Sequence, residues 1–161
     1  MLESLVALAS EVGGLLKERA DTIAVAESSA GGLLSAALLS VPGASAYFMG
    51  GAVVYTRSAR GVLLDIPDSA LDGIRSASEP YALLLARTAR ERFASTWGLA
   101  ETGATGPTGN RYGDSPGHAC FAIAGPVERS QTLETGSADR VANMHEFTAA
   151  GLRLLLESLR A

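Results

Sequence analysis

Apolar residues recur at helical spacing from the first residues onward. Leu2, Leu5, Val6, Ala9, Val12, Leu15 and Leu16 share one stripe, which predicts an amphipathic helix over residues 2–20. The period then changes. Thr22–Ala26 is a short apolar run with β-branched residues, the pattern of a buried strand. A glycine-bearing turn, Glu27-Ser-Ser-Ala-Gly-Gly32, opens a second helical stretch from Leu33 to about residue 40, stopped by Pro42-Gly43. Gly50-Gly51 precedes a second expected strand over 52–56. Two short helical pieces follow, one near 58–64 and one begun by Pro67-Asp68. Ser78-Glu-Pro80 combines an N-capping hydroxyl with acid and proline in the first turn, so a helix is expected from there to about Trp97.

A strand over Gly98–Thr102 leads into Gly103–Gly117, a loop too long to be a mere connection. His118–Ala124 and Ser130–Thr135 read as two strands joined at Gly125-Pro126 in an antiparallel hairpin. A helix from about Ala138 to Leu159 ends the chain. Strands alternating with helices predict an α/β fold around a mostly parallel sheet, made mixed by the hairpin. With no internal repeat, low-complexity tract or linker, residues 1–161 are expected to form one domain.

Composition narrows the picture. A chain of 161 residues buries roughly 70% of its unfolded surface, enough for a real core. With 47% hydrophobic and 19% charged residues it is not a disordered chain, and 6% aromatic content puts its core on Ala, Val, Leu and Ile. Thirteen basic against 17 acidic residues give a net charge of −4, so no basic footprint for nucleic acid exists at the level of the whole chain. The single cysteine, Cys120, has no partner within the chain, which fits a reducing compartment. The N-terminus lacks the basic and apolar blocks of a signal peptide, and no apolar run approaches a membrane span; a cytoplasmic location without membrane contact is expected. Of the basic residues only Lys17 is a lysine, so chemistry needing a titratable amine has one side chain to use.

The candidate chemistry lies in the two glycine loops that follow strands. In open α/β sheets, ligands bind outside the carboxyl ends of strands. The first loop also feeds a helix N-terminus, whose N–H groups suit an anion, while Gly31 and Gly32 would let backbone approach it closely. Ser28 and Ser29 sit at that turn either as helix caps or with one hydroxyl as a nucleophile beside an oxyanion-stabilising helix end. Glu27 would orient that hydroxyl, bond a substrate, or be solvated. Arg57 and Arg60 either clamp a phosphate in bidentate fashion or line a solvated helix face. No Asp, Glu, Cys or His spacing matches a metal site.

Ala26-Glu-Ser-Ser-Ala-Gly-Gly-Leu33 resembles the Ala-Glu-Ser-Cys-Thr-Gly-Gly-Leu signature of the CinA C-terminal domain family, the nicotinamide-nucleotide amidohydrolases. The similarity continues through Val41–Phe48 and Gly51–Tyr55, and resumes at Ser78-Glu-Pro80, Thr102-Gly103, Gly106-Pro107 and Pro116-Gly117, in order and over essentially the whole chain. The resemblance implies a three-layer α/β/α fold, a homodimer or higher homo-oligomer, a small-molecule nucleotide as ligand and no cofactor. It also implies hydrolysis of the carboxamide of nicotinamide mononucleotide. Two-domain relatives carry a further N-terminal domain; this chain resembles a stand-alone form. Ser28 occupies the position of the attacking serine and Tyr55 that of the tyrosine in a Tyr-Ser-Asn-x-x-Lys segment. Glu27, Ser29, Gly31, Gly32, Thr105 and Gly106 would contact the nucleotide.

Several positions depart from the family pattern. Arg60 stands where the family has lysine, and an arginine keeps its proton, so it cannot serve as general base. Cys-Thr reads Ser29-Ala30. The family's Ile-Ala-Gly-Pro-Asp-Gly-Gly reads Ala104-Thr-Gly-Pro-Thr-Gly-Asn110, without its acid, and Gly-Asp-Arg reads Gly136-Ser-Ala138, without its arginine. His118 is the residue considered as a substitute base, against an ordinary strand-end histidine. His145, beside Glu146, reads as a packing residue, and Cys120 as a core residue. A catalytically degenerate nucleotide-binding or regulatory relative, and an amidase with a different small substrate, are the alternatives.

Overall fold

The runs richest in small and branched apolar residues become the strands. In the computed structural model, which describes residues 1–161, these are β1 (Ile23–Glu27), β2 (Phe48–Val53), β3 (Trp97–Ala104), β4 (His118–Ala124) and β5 (Arg129–Glu134). They form one five-stranded sheet in the order β2-β1-β3-β4-β5. β1 pairs in parallel with β2 and β3, while β4 pairs antiparallel with β3 and β5. Four strands therefore point one way and β4 the other, the mixed, mostly parallel sheet that the pattern predicts. The helices are α1 (Val6–Arg19), α2 (Leu33–Leu39), α3 (Arg57–Leu64), α4 (Glu79–Phe93) and α5 (Arg140–Arg160).

The two faces of the sheet bury different cores. On one face α1, α2 and α5 pack large side chains, among them Leu16, Leu34, Tyr47, Trp97, Phe121 and Phe147, against the sheet. On the other, α4 packs with α3 against small residues, including Ala24, Ala26, Ala100, Ala122 and Ala124. The small side chains bring α4 close. A β-carbon added to Gly98 would strike the backbone carbonyl of Ala86, so glycine is required there. The result is a three-layer α/β/α domain.

Several boundaries differ from the sequence pattern for identifiable reasons. β2 starts four residues before the expected 52 and runs through Gly50-Gly51, which are not a turn. A β-carbon on Gly50 would meet the Phe93 ring of α4, and one on Gly51 the Ser35 side chain of α2. α4 ends at Phe93 rather than Trp97, because Ala94 adopts a left-handed conformation (φ 49°) and Trp97 begins β3. The first turn of the N-terminal helix, Leu2–Leu5, is 3-10.

The chain passes from β1 to β2 over one face through α2, and from β2 to β3 over the other through α3 and α4. The carboxyl ends of β1, β2 and β3 thus open at a common edge where the connections diverge, the place where such sheets bind ligands. No helix is long and apolar enough to cross a membrane.

Candidate functional site

Two buried carboxylates organise the turn after β1. Glu27, the last residue of β1, is fully buried. It accepts hydrogen bonds from the amides of Gly32 (2.8 Å), Leu34 (3.1 Å) and Ser35 (2.9 Å), and from the Ser35 hydroxyl (2.9 Å). Glu101, from the middle of β3, lies under the same turn. It accepts from the amides of Ser28 and Ala30, each at 2.9 Å, and from the Ser29 hydroxyl. Burial pushes the Glu101 carboxyl up to about 7, aided by the charge of Glu27 and opposed by Ser29 and the amides of Ala30 and Ser28.

This arrangement corrects the expected anion site. The donors that a phosphate or oxyanion would use at the start of α2 are already satisfied by the chain's own acids. Glu27 caps a helix rather than meeting a ligand, and Ser29 faces Glu101 in the interior. Gly31 and Gly32 are required by their backbone, with φ of 71° and 102°, and a β-carbon on Gly31 would press on the Met144 methyl of α5.

A different surface faces solvent beside it. A cavity of about 860 Å³ is lined by Ser28, by Tyr55 just beyond β2, by Arg57 and Arg60 of α3, and by Thr102 and Gly103 of β3. Asp68, Arg75, Tyr81, Arg111 and Tyr112 complete its polar wall. Ser28, Tyr55 and Arg60, which stands at the position of the family lysine, all line this one cavity. Glu27, Ser29, Gly31, Gly32, Thr105 and Gly106 do not line it. Thr105 and Gly106 are tied instead to the start of α5. The Asn143 side-chain amide donates to the Thr105 carbonyl (2.8 Å), and Arg140 donates to the Gly106 carbonyl (2.6 Å).

The cavity wall is strongly cationic, with four arginines against Asp68. Arg60 is buried; it donates to Asp68 at 3.1 Å and to the Tyr81 hydroxyl at 3.4 Å, and its Nε has no partner. Its guanidinium also lies 5.8 Å from the centre of the Tyr81 ring. Arg57 embraces the same Asp68 carboxylate with two nitrogens. Arg75 forks onto Asp114 at 2.7 and 3.1 Å. Tyr55 accepts a bond from Arg140 (3.2 Å) at the cavity mouth.

His118 is not a substitute base. Its Nδ1 meets the Glu134 carboxylate and its Nε2 lies 2.8 Å from the Ala77 carbonyl. Both partners are acceptors, which favours the protonated ring, and with both nitrogens so engaged His118 does not line the cavity that Ser28 lines. Burial works against that charge, but Glu134, the Ala77 carbonyl and Asp114 outweigh it and raise the pKa. Burial likewise pushes the Cys120 thiol up, as befits a core residue. Lys17 donates to the Pro42 carbonyl at 3.2 Å and takes no part in the cavity. His145 packs on the Ser4 hydroxyl at 2.7 Å.

A family model described as the CinA C-terminal domain matches residues 5–159, nearly the whole chain. The chain belongs to the CinA C-terminal domain family. A CinA-like protein of Synechococcus is 43% identical over 118 residues, covering 73% of this chain and 28% of the relative. One of Chlorobium limicola is 39% identical over 152 residues, 91% of this chain and 35% of the relative. The chain thus spans about a third of the length of these curated relatives. Among solved structures, a competence-damaged protein (CinA) superfamily member from Klebsiella pneumoniae superposes with a TM-score of 0.90 at 23% identity, covering 97% of this chain and 98% of that one. The competence/damage inducible protein CihA from Agrobacterium tumefaciens gives 0.88 at 24%, covering 98% and 96%.

Within the CinA frame, two residues were missed by the sequence reading. Glu101 had a visible signal, a lone acid inside an otherwise apolar strand segment. Arg140 had a subtler one. The arginine read as absent at Gly136-Ser-Ala138 follows two residues later in Asp139-Arg140, where Asp139 caps α5 and Arg140 reaches Gly106 and Tyr55.

Proposed function

We propose that this CinA domain binds nicotinamide mononucleotide in the arginine-lined cavity and hydrolyses its carboxamide to nicotinate mononucleotide and ammonia. The observation that carries this reading is that Ser28, Tyr55 and Arg60 line one cavity whose arginines suit a phosphate. The Ser28 oxygen forms an ester bond to the carboxamide carbon as the C–N bond breaks, and water then hydrolyses the ester. Arg140 donates to the Tyr55 oxygen, which leaves the tyrosine proton to be given to the departing nitrogen and regained from Ser28.

A second reading, nucleotide binding without turnover, is favoured by one observation. The position of the family lysine holds a guanidinium already paired with Asp68, so no residue there accepts the serine proton. Ammonia release from nicotinamide mononucleotide by pure protein tests the first reading, with Ser28→Ala expected to abolish it. Thermal stabilisation by the nucleotide with no ammonia released supports the second, in which Arg60→Lys raises turnover. Neither stabilisation nor ammonia overturns both.

A further inference from the structure

Asp68 contrasts in exposure with one of the groups it binds. Its side chain is 56% exposed, on a short 3-10 turn between α3 and α4, whereas the Arg60 side chain it holds is 6% exposed. One Asp68 oxygen accepts from both Arg57 Nε (2.9 Å) and Arg60 Nη2 (3.1 Å), and the other accepts from Arg57 Nη2. Two guanidinia converging on one anion, Arg57 forked and Arg60 by a single bond, is an arrangement in which arginines hold a phosphate. Arg60 has capacity to spare: of five N–H groups a guanidinium carries, one reaches Asp68, one makes the long bond to Tyr81, and Nε has no partner. The remaining cavity cations lie apart from this seat, Arg75 on Asp114 and Arg111 beside the Tyr112 ring at 5.1 Å.

We propose that Asp68 is a built-in occupant of the phosphate seat between Arg57 and Arg60, which an incoming phosphate monoester must displace. This rests on the nucleotide reading above for the identity of the ligand, and on the arginine pair alone for its chemistry. Exchange selects by charge. A carboxylate ligand offers the arginines no more than Asp68 already does, whereas a phosphate brings close to two charges and three acceptor oxygens. The exposed turn lets Asp68 swing into solvent, where it is hydrated, while the buried Arg60 stays in place. The Asp68 carboxyl is held below its usual range, mainly by its bond to Arg57, which is the mark of an acid already engaged by cations.

Calorimetric titration with inorganic phosphate, acetate and nicotinamide mononucleotide tests the exchange. Removing one negative charge from contact with two guanidinia is expected to tighten phosphate binding about tenfold in Asp68→Asn. The wild type is expected to prefer phosphate over acetate by more than the variant does. Adding Arg57→Gln to Asp68→Asn should remove the gain, and because Arg57 is exposed this variant keeps its fold; Arg60→Gln should do the same if circular dichroism shows it folded. Phosphate binding unchanged or weakened in Asp68→Asn overturns the proposal, as does a gain that survives loss of both arginines. If phosphate binding tightens but the mononucleotide never binds, the exchange stands and the pyridine-nucleotide reading falls. Equal mononucleotide binding by wild type and Asp68→Asn does the reverse.

Discussion

The turn after β1 and the cavity wall beside it both bring acids against donors, and they do so in opposite ways. In the turn, Glu27 and Glu101 are fully buried and their partners are mostly backbone amides that have no other place to go. In the cavity, Asp68 faces solvent and its partners are side chains, Arg57 exposed and Arg60 buried. The first arrangement holds the fold together and is closed to ligands. The second contributes little stability and can be exchanged. Burial, not charge, separates structure from function here.

The sharpest way to break this contrast is to remove an acid from the closed side. Glu27→Ala leaves three amides at the start of α2 without partners in the interior, and is expected to cost about 4 kcal/mol in urea denaturation. Glu27→Gln, which keeps one acceptor oxygen, should fall between that variant and the wild type.

Glu101 carries a pH signature next in size. Its folded pKa, about 7, lies above the unfolded value near 4.5, so the native state binds the extra proton. Stability is then fully present below pH 4.5 and is lost as pH rises through 7, by on the order of 3 kcal/mol. Glutamine can accept the Ser28 and Ala30 amides with its oxygen and donate to Ser29 with its nitrogen. Glu101→Gln should therefore fold and show a flatter stability profile between these pH values; an unchanged slope would contradict the burial argument.

His118 gives a test of the same sign, smaller again. Its pKa is raised in the fold, so its contribution is full below the ordinary histidine range and disappears as pH rises through the folded value. His118→Gln should cost about 1 kcal/mol at pH 6, with the difference from wild type shrinking at higher pH. At the open end, Arg57→Ala should leave the denaturation midpoint where it is while weakening phosphate binding, the outcome that most directly sharpens the comparison.

Much of this was legible in the chain. Ser78 and Pro80 at the start of α4 announced themselves by capping chemistry, which is local, and the structure places the Ser78 hydroxyl on the Tyr81 amide as expected. The β4–β5 hairpin and the α/β alternation followed from periodicity. The glycines of β2 did not, because Gly50 and Gly51 are explained by Phe93 and Ser35, residues from other elements. Glycine near a strand reads as a turn until its neighbours across the layer are known.

The site divides along the same line. Sequence alone selected Ser28, Tyr55 and Arg60, since their order and spacing carry the family signature, and it exposed the exchange of lysine for arginine. It assigned the binding role to Glu27, Ser29, Gly31 and Gly32 because they adjoin Ser28 in the chain. Only the tertiary structure decided that none of them lines the cavity, Glu27 and Ser29 being buried in bonds within the turn. Glu101 arrives from a strand more than seventy residues away to take the Ser28 and Ala30 amides and the Ser29 hydroxyl. With those donors and the start of α2 closed, the cationic surface left open is the one made by arginines of α3 and of two loops. Hydrophobic period and capping are properties of neighbours in sequence and so were readable there. Which polar group satisfies which donor depends on distant strands meeting, and only folding brings them together.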